Sequence, residues 1–117
     1  MEKYVDRSRF TTRGGRMMKI HELKLDTFYF YDVKSGLKTF EIRKNDRDYQ
    51  VGDVLALSAF KEGSYKHRMR YILEYESVDI HEADTIFFYI TYITDYEQKD
   101  GYVVMGIEPY AQVTVND

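Results

Sequence analysis

The chain has 117 residues, enough for one domain that buries roughly two thirds of its unfolded surface. It has no cysteine, which excludes a disulfide framework, a thiolate nucleophile and a thiolate zinc site. A formal net charge of −3 gives no whole-molecule attraction for a polyanion, so any nucleic-acid contact must use a local basic patch and be salt-sensitive. Twelve tyrosines and seven phenylalanines favour pleated sheet over helix. No run approaches the ~18 consecutive apolar residues of a membrane span, and the first residues lack the order of a signal peptide. The expectation is a cytoplasmic protein without membrane partner, cofactor or metal.

Residues 1–17 are polar and basic and end in Arg13-Gly14-Gly15-Arg16 ahead of Met17-Met18. They are expected to be a disordered leader or a mis-annotated start, since Gly-Gly-Arg codons can spell a ribosome-binding site. A basic RNA-binding arm is the functional alternative. The domain proper is expected over 18–108, with a tail over 109–117.

Ile20, His21, Leu23 and Leu25 predict a first strand with Leu23 and Leu25 inward. His21 shares their parity and reads as a packed or hydrogen-bonded core-edge residue. Asp26 is a candidate N-cap for a short helix whose apolar stripe is Phe30 and Val33, with Tyr29 beside them. Gly36 ends that helix at the left-handed position. A strand from Lys38 to Arg43 follows, then turns at 45–48 and at Val51-Gly52-Asp53, then a buried strand over Val54–Leu57. Lys61 to Ser64 reads as a loop, and 66–76 leans to strand through its aromatics and Ile72. Residues 77–85 read as a loop with room for a helical turn. Ile86 to Thr94 is apolar on both faces, the mark of a central strand. Tyr102 to Ile107 is another buried strand, closed by Pro109; Val113 and Val115 read as an added edge strand. The sum is a small α+β domain of five or six strands, curled into a barrel, with one helix near its start.

The most informative stretch is Gly36-Leu37-Lys38-Thr39-Phe40-Glu41-Ile42-Arg43-Lys44-Asn45-Asp46-Arg47-Asp48. Strand alternation puts Phe40 and Ile42 on one face, read as the core face, and Thr39, Glu41 and Arg43 on the other. Two readings stay open. The charged face is merely solvated, its ion pairs contributing about 0–1 kcal/mol, or it lines a site.

Ser35 to Asp48, followed by Val51-Gly52-Asp53, resembles the ASCH-like domains of the PUA superfamily. Gly36, Lys38, Glu41 and Arg43 fill the Gly-x-Lys-x-x-Glu-x-Arg signature of that family. The resemblance covers roughly Met18 to Glu108 and is tightest to a small bacterial and phage branch of unassigned function. It implies a PUA-like β-barrel with a cleft beside the first helix, and binding of RNA or a nucleotide-like ligand by Lys38, Glu41, Arg43, Lys44 and Arg47. Two departures stand out: Leu37 replaces an often basic residue, and the segment 61–85 is longer than usual.

Arg43 offers a planar fork suited to a phosphate or a base edge, and Glu41 can accept from an exocyclic amine. Tyr29, Tyr31, Tyr49 and Tyr65 are candidate stacking surfaces, although core packing accounts for most tyrosines. Lys66, Arg68 and Arg70 share a strand face and form a second basic patch, either a phosphate track or a charged face that blunts an exposed edge. An enzymatic alternative comes from ASCH relatives that are amidohydrolases on acylated cytidine nucleosides. The resemblance then makes Lys38 catalytic with Glu41 beside it, but Glu41 stands where those relatives have threonine. Glu74 or Glu76 would have to supply their distant carboxylate. A purely structural or protein-binding module is the third class.

Overall fold

The structure is a computed structural model and describes residues 15–69 and 74–110. Most of the leader, Arg70 and the edge strand expected at Val113 and Val115 lie outside these residues.

Strand β1, Ile20–Asp26, alternates as its sequence dictates: His21, Leu23 and Leu25 are buried while the intervening residues are exposed. It pairs in parallel with β3, Val54–Lys61, placing Leu23 beside Leu57 and Leu25 beside Ala59. Parallel neighbours need a crossover, and here it contains helix α1, Thr27–Lys34, and strand β2, Phe40–Lys44. Asp26 caps α1 by accepting the Phe28 amide at 2.8 Å, and Phe30 and Val33 are its buried stripe. The helix ends with the Ser35 amide on the Tyr31 carbonyl and the Lys38 amide on the Asp32 carbonyl. Gly36 at φ 84° makes that reversal possible.

β3 gives way at Glu62-Gly63 to β4, Ser64–Arg68, which pairs with β5, Tyr75–Val78. A 3₁₀ turn, Ile80–Glu82, leads into β6, Thr85–Thr94, and then β7, Tyr102–Pro109. The strand order is β2-β7-β6-β3-β4-β5, with β1 on β3. Every ladder except β1·β3 is antiparallel. β3 is buried on both faces from Val54 to Ala59. Around it Leu23, Leu25, Phe30, Val33, Leu55, Leu57, Ile90, Met105 and Ile107 form one core. Among the described residues no helix is long and apolar enough to cross a membrane.

Among the described residues the domain is thus mostly β with one helix, as expected, but three expectations change. Among the described residues the sheet has seven strands rather than five or six, because one expected strand is divided in two. The expected strand over 66–76 is two strands, β4 ending at Arg68 and β5 starting at Tyr75. Nor is the sheet a closed barrel: among the described residues no ladder joins β2 to β1 or to β5.

Candidate functional site

The fourth change concerns β2, and it makes the site. Phe40 and Ile42 are exposed, whereas Glu41 is only 2 % exposed. The alternation is as expected but its two faces are exchanged. The cause is register with β7: Glu41 lies opposite Met105 and Arg43 opposite Val103, while Phe40 and Ile42 face Gly106 and Val104. Cross-strand partners share a face, and Val103, Met105 and Ile107 are the buried side of β7. Pairing therefore carries the charged face inward.

A buried carboxylate needs compensation, and the neighbouring side chains supply it. Lys38 Nζ donates to Glu41 Oε2 at 3.0 Å and to the Phe40 carbonyl at 2.8 Å. Arg43 donates to Glu41 Oε1 through Nε at 2.9 Å and Nη2 at 2.7 Å. The side chains of Lys38 and Arg43 stay 20 % and 22 % exposed, so both cations are held from inside and reachable from outside. Lys38 Nζ also lies 4.7 Å from the ring centre of Phe40 and 5.3 Å from that of Tyr29. Helix α1 and strand β2 thus meet on one ammonium.

Beside this triad lies Tyr49, which is buried rather than available for stacking. Burial pushes its hydroxyl above the ordinary value of 10.0, against the pull of the Arg43 and Arg47 cations. Its ring is tilted against His21, with centroids 4.8 Å apart, and His21 Nε2 lies 2.8 Å from Asp53 Oδ2. His21 is thus the buried, hydrogen-bonded residue its parity predicts. Asp53 is fully buried and also accepts the Lys19 and Gln50 amides and Arg16 Nη2. Burial alone would raise its carboxyl, but the Lys19 amide, His21, the Gln50 amide and the Arg16 charge outweigh it and hold it below 3.8. Sequence reasoning placed a turn at Asp53 without seeing this hub. The one available signal was a carboxylate directly before a strand with no polar residue in its first four positions.

The remaining candidates disperse. Lys44 is exposed at the end of β2. Arg47 donates to the Glu22 carbonyl at 3.0 Å and so fastens the loop after β2 to β1. Of the second basic patch, Lys66 donates to Ser77 Oγ at 2.9 Å and Arg68 is exposed on β4. That patch is interrupted by the Asp84 carboxylate, which contacts His67 Nδ1 and accepts the Arg68 amide. The hairpin and β2 stand at opposite ends of the strand order, and among the described residues no ladder joins them. Glu74 and Glu76 are exposed on that far side. Tyr29 and Tyr31 are exposed, while Tyr65 packs edge-on against Phe60. Among the described residues no cluster of three or more His, Asp or Glu side chains is placed to hold a metal ion.

Comparison with known proteins adds two findings. An uncharacterized 12.9 kDa protein in the GpA 3' region of Escherichia phage P2 is 46% identical over 52 residues. That match covers 44% of this chain and 48% of the relative, so it spans about half the length of each. A profile of a domain of unknown function, DUF3850, matches residues 20–107, from the first residue of β1 to Ile107 in β7. The chain belongs to the DUF3850 family.

Proposed function

We propose that the face built by Lys38, Glu41 and Arg43 binds RNA or a nucleotide-like ligand in the cytoplasm. The same reading takes the sheet as an open relative of the ASCH/PUA-like barrel. The observation that carries it is the inward turn of Glu41. A carboxylate buried between two cations fixes their positions, and one surplus positive charge remains on two side chains that solvent still reaches. Arg43 uses one edge of its guanidinium on Glu41, so the other edge is directed away from the carboxylate and suits a phosphate or a base edge. Exposed Phe40 and Tyr29 flank the ammonium with apolar rings.

The amidohydrolase alternative, with Lys38 as the catalytic residue, is supported less well. Lys38 Nζ is held as a donor between a carbonyl and a carboxylate, an arrangement suited to an ammonium and not to a nucleophilic amine.

Titration of a panel of nucleotides and short RNAs against the wild type and the variants Arg43→Ala and Lys38→Ala tests the proposal. Folded variants that bind roughly tenfold more weakly are expected, matching a lost charge-assisted contact. Folded variants with unchanged binding would sink it.

A further inference from the structure

The face of α1 that meets water is aromatic. Phe28 is 72 % exposed, Tyr31 63 % and Tyr29 44 %, although a surface helix normally turns polar residues outward. These rings do not stand alone. Phe28 and Tyr29 lie 5.0 Å apart, and Tyr29 reaches across Lys38 to Phe40 on β2. The result is a run of rings from Phe28 through Tyr29 to Phe40, leading from the helix to the Lys38–Glu41–Arg43 face, with Tyr31 about one helical turn beyond Phe28.

The charge around the rings selects among possible occupants. Lys38, which lies against the Tyr29 and Phe40 rings, and Arg43 share the one buried carboxylate of Glu41, which leaves a surplus positive charge beside the rings in a chain whose net charge is −3. An apolar protein surface laid over the rings would have to strip water from Lys38 without replacing it. A polynucleotide supplies phosphates for the cations and bases for the rings at once. Ring geometry narrows the choice further. Phe28 and Tyr29 are at 89° to one another, so bases stacked on both cannot belong to one continuous stack. A duplex cannot splay its bases in this way, whereas a single strand can.

We infer that α1 and the entrance to β2 form a track for single-stranded nucleic acid. Bases stack on Phe40 and Tyr29 beside Lys38, and the strand turns onward to Phe28 and Tyr31. This rests on the proposed nucleotide-binding reading, whose Arg43 end it extends.

Fluorescence anisotropy tests the inference with a labelled mononucleotide, oligo(U) and oligo(dT) of about four and about eight nucleotides, and a duplex of the longer length. Affinity is expected to rise with length for the single strands and not for the duplex. Phe28→Ala and Tyr31→Ala should each remove roughly tenfold from the longer oligomers while leaving mononucleotide binding unchanged. Arg43→Ala should weaken every length. The RNA and DNA arms identify which strand is preferred, and a length gain in either supports the track. Length-independent binding that is insensitive to Phe28 and Tyr31 but lost in Arg43→Ala overturns the track and leaves the nucleotide site. Binding that depends on Phe28 but not on Arg43 overturns the nucleotide site instead, and no binding at all overturns both. Equal binding of duplex, or a dimer in sedimentation that Phe28→Ala dissolves, also overturns the track.

Discussion

Arg43 closes two hydrogen bonds, of 2.9 and 2.7 Å, on the same oxygen of Glu41, two residues before it on the same strand. Residues at that spacing point the same way from a strand, so the pair needs no second element to form. What the second element decides is whether the pair faces water or core. β7 turns it toward the core, and Lys38 then takes the other oxygen.

This arrangement predicts that the two cations substitute for one another in stability. Lys38→Ala and Arg43→Ala should each cost about 1 kcal/mol, because both cations are partly solvated and the other still compensates Glu41. The double variant leaves a buried carboxylate unpaired and should cost more than the sum of the singles, by about 1–2 kcal/mol. Urea unfolding of the three variants gives the coupling, and strict additivity would show that the cations do not share Glu41.

The exchanged faces of β2 predict an inequality between two isoleucines. Ile90 is fully buried and Ile42 is half exposed. Ile90→Ala should therefore cost about 2–5 kcal/mol, and Ile42→Ala well under half of that. Comparable losses in thermal or urea unfolding would mean that β2 pairs with β7 in the opposite register.

Asp53 predicts an acid limb in stability. Its carboxyl is held below its ordinary value of 3.8, so the folded state favours the ionised form. That contribution is fully present above the ordinary value and is lost as pH falls through the lower folded value. Asp53→Asn should cost about 2–4 kcal/mol at neutral pH, through lost acceptance from Arg16, His21 and two amides. It should also flatten the dependence below pH ~4. Unfolding curves at stepped pH check both, and an unchanged acid limb in the variant would assign it elsewhere.

Gly36 carries a simpler prediction. At φ 84° with open space around it, an added methyl meets no neighbour but the backbone is strained. Gly36→Ala should cost about 1–2 kcal/mol and loosen the entry of Lys38 into β2. Both effects are readable, from denaturation and from nucleotide titration.

Local chemistry was largely legible in the sequence. The Asp26 cap, the Phe30–Val33 stripe, the Gly36 stop and the inward parity of His21, Leu23 and Leu25 all follow from residues within a turn or two of one another. The face of β2 was not, because alternation gives two sides without saying which is wet. Phe40 and Ile42 made the apolar side look buried. A Glu with a Lys and an Arg nearby looks alike whether solvated or clamped, and only the distant register with β7 separates the two. Asp53 was hidden for the same reason: Arg16, Lys19 and His21 reach it from another part of the chain. The hairpin of β4 and β5 escaped because the aromatics and Ile72 make 66–76 read as one continuous strand, whereas β4 ends at Arg68 and β5 begins at Tyr75.

The dependence of β2 on β7 also fixes when the site can exist. Among the described residues β2 has one ladder, and its partner is the final strand of the described fold. During synthesis Lys38, Glu41 and Arg43 leave the ribosome early, but nothing turns them inward until Val103 and Met105 have followed. Until then Glu41 and its two cations face water, and the inward-turned arrangement does not exist. On the proposed reading, binding therefore requires the completed sheet, and a chain stopped before Tyr102 is expected to bind no nucleotide.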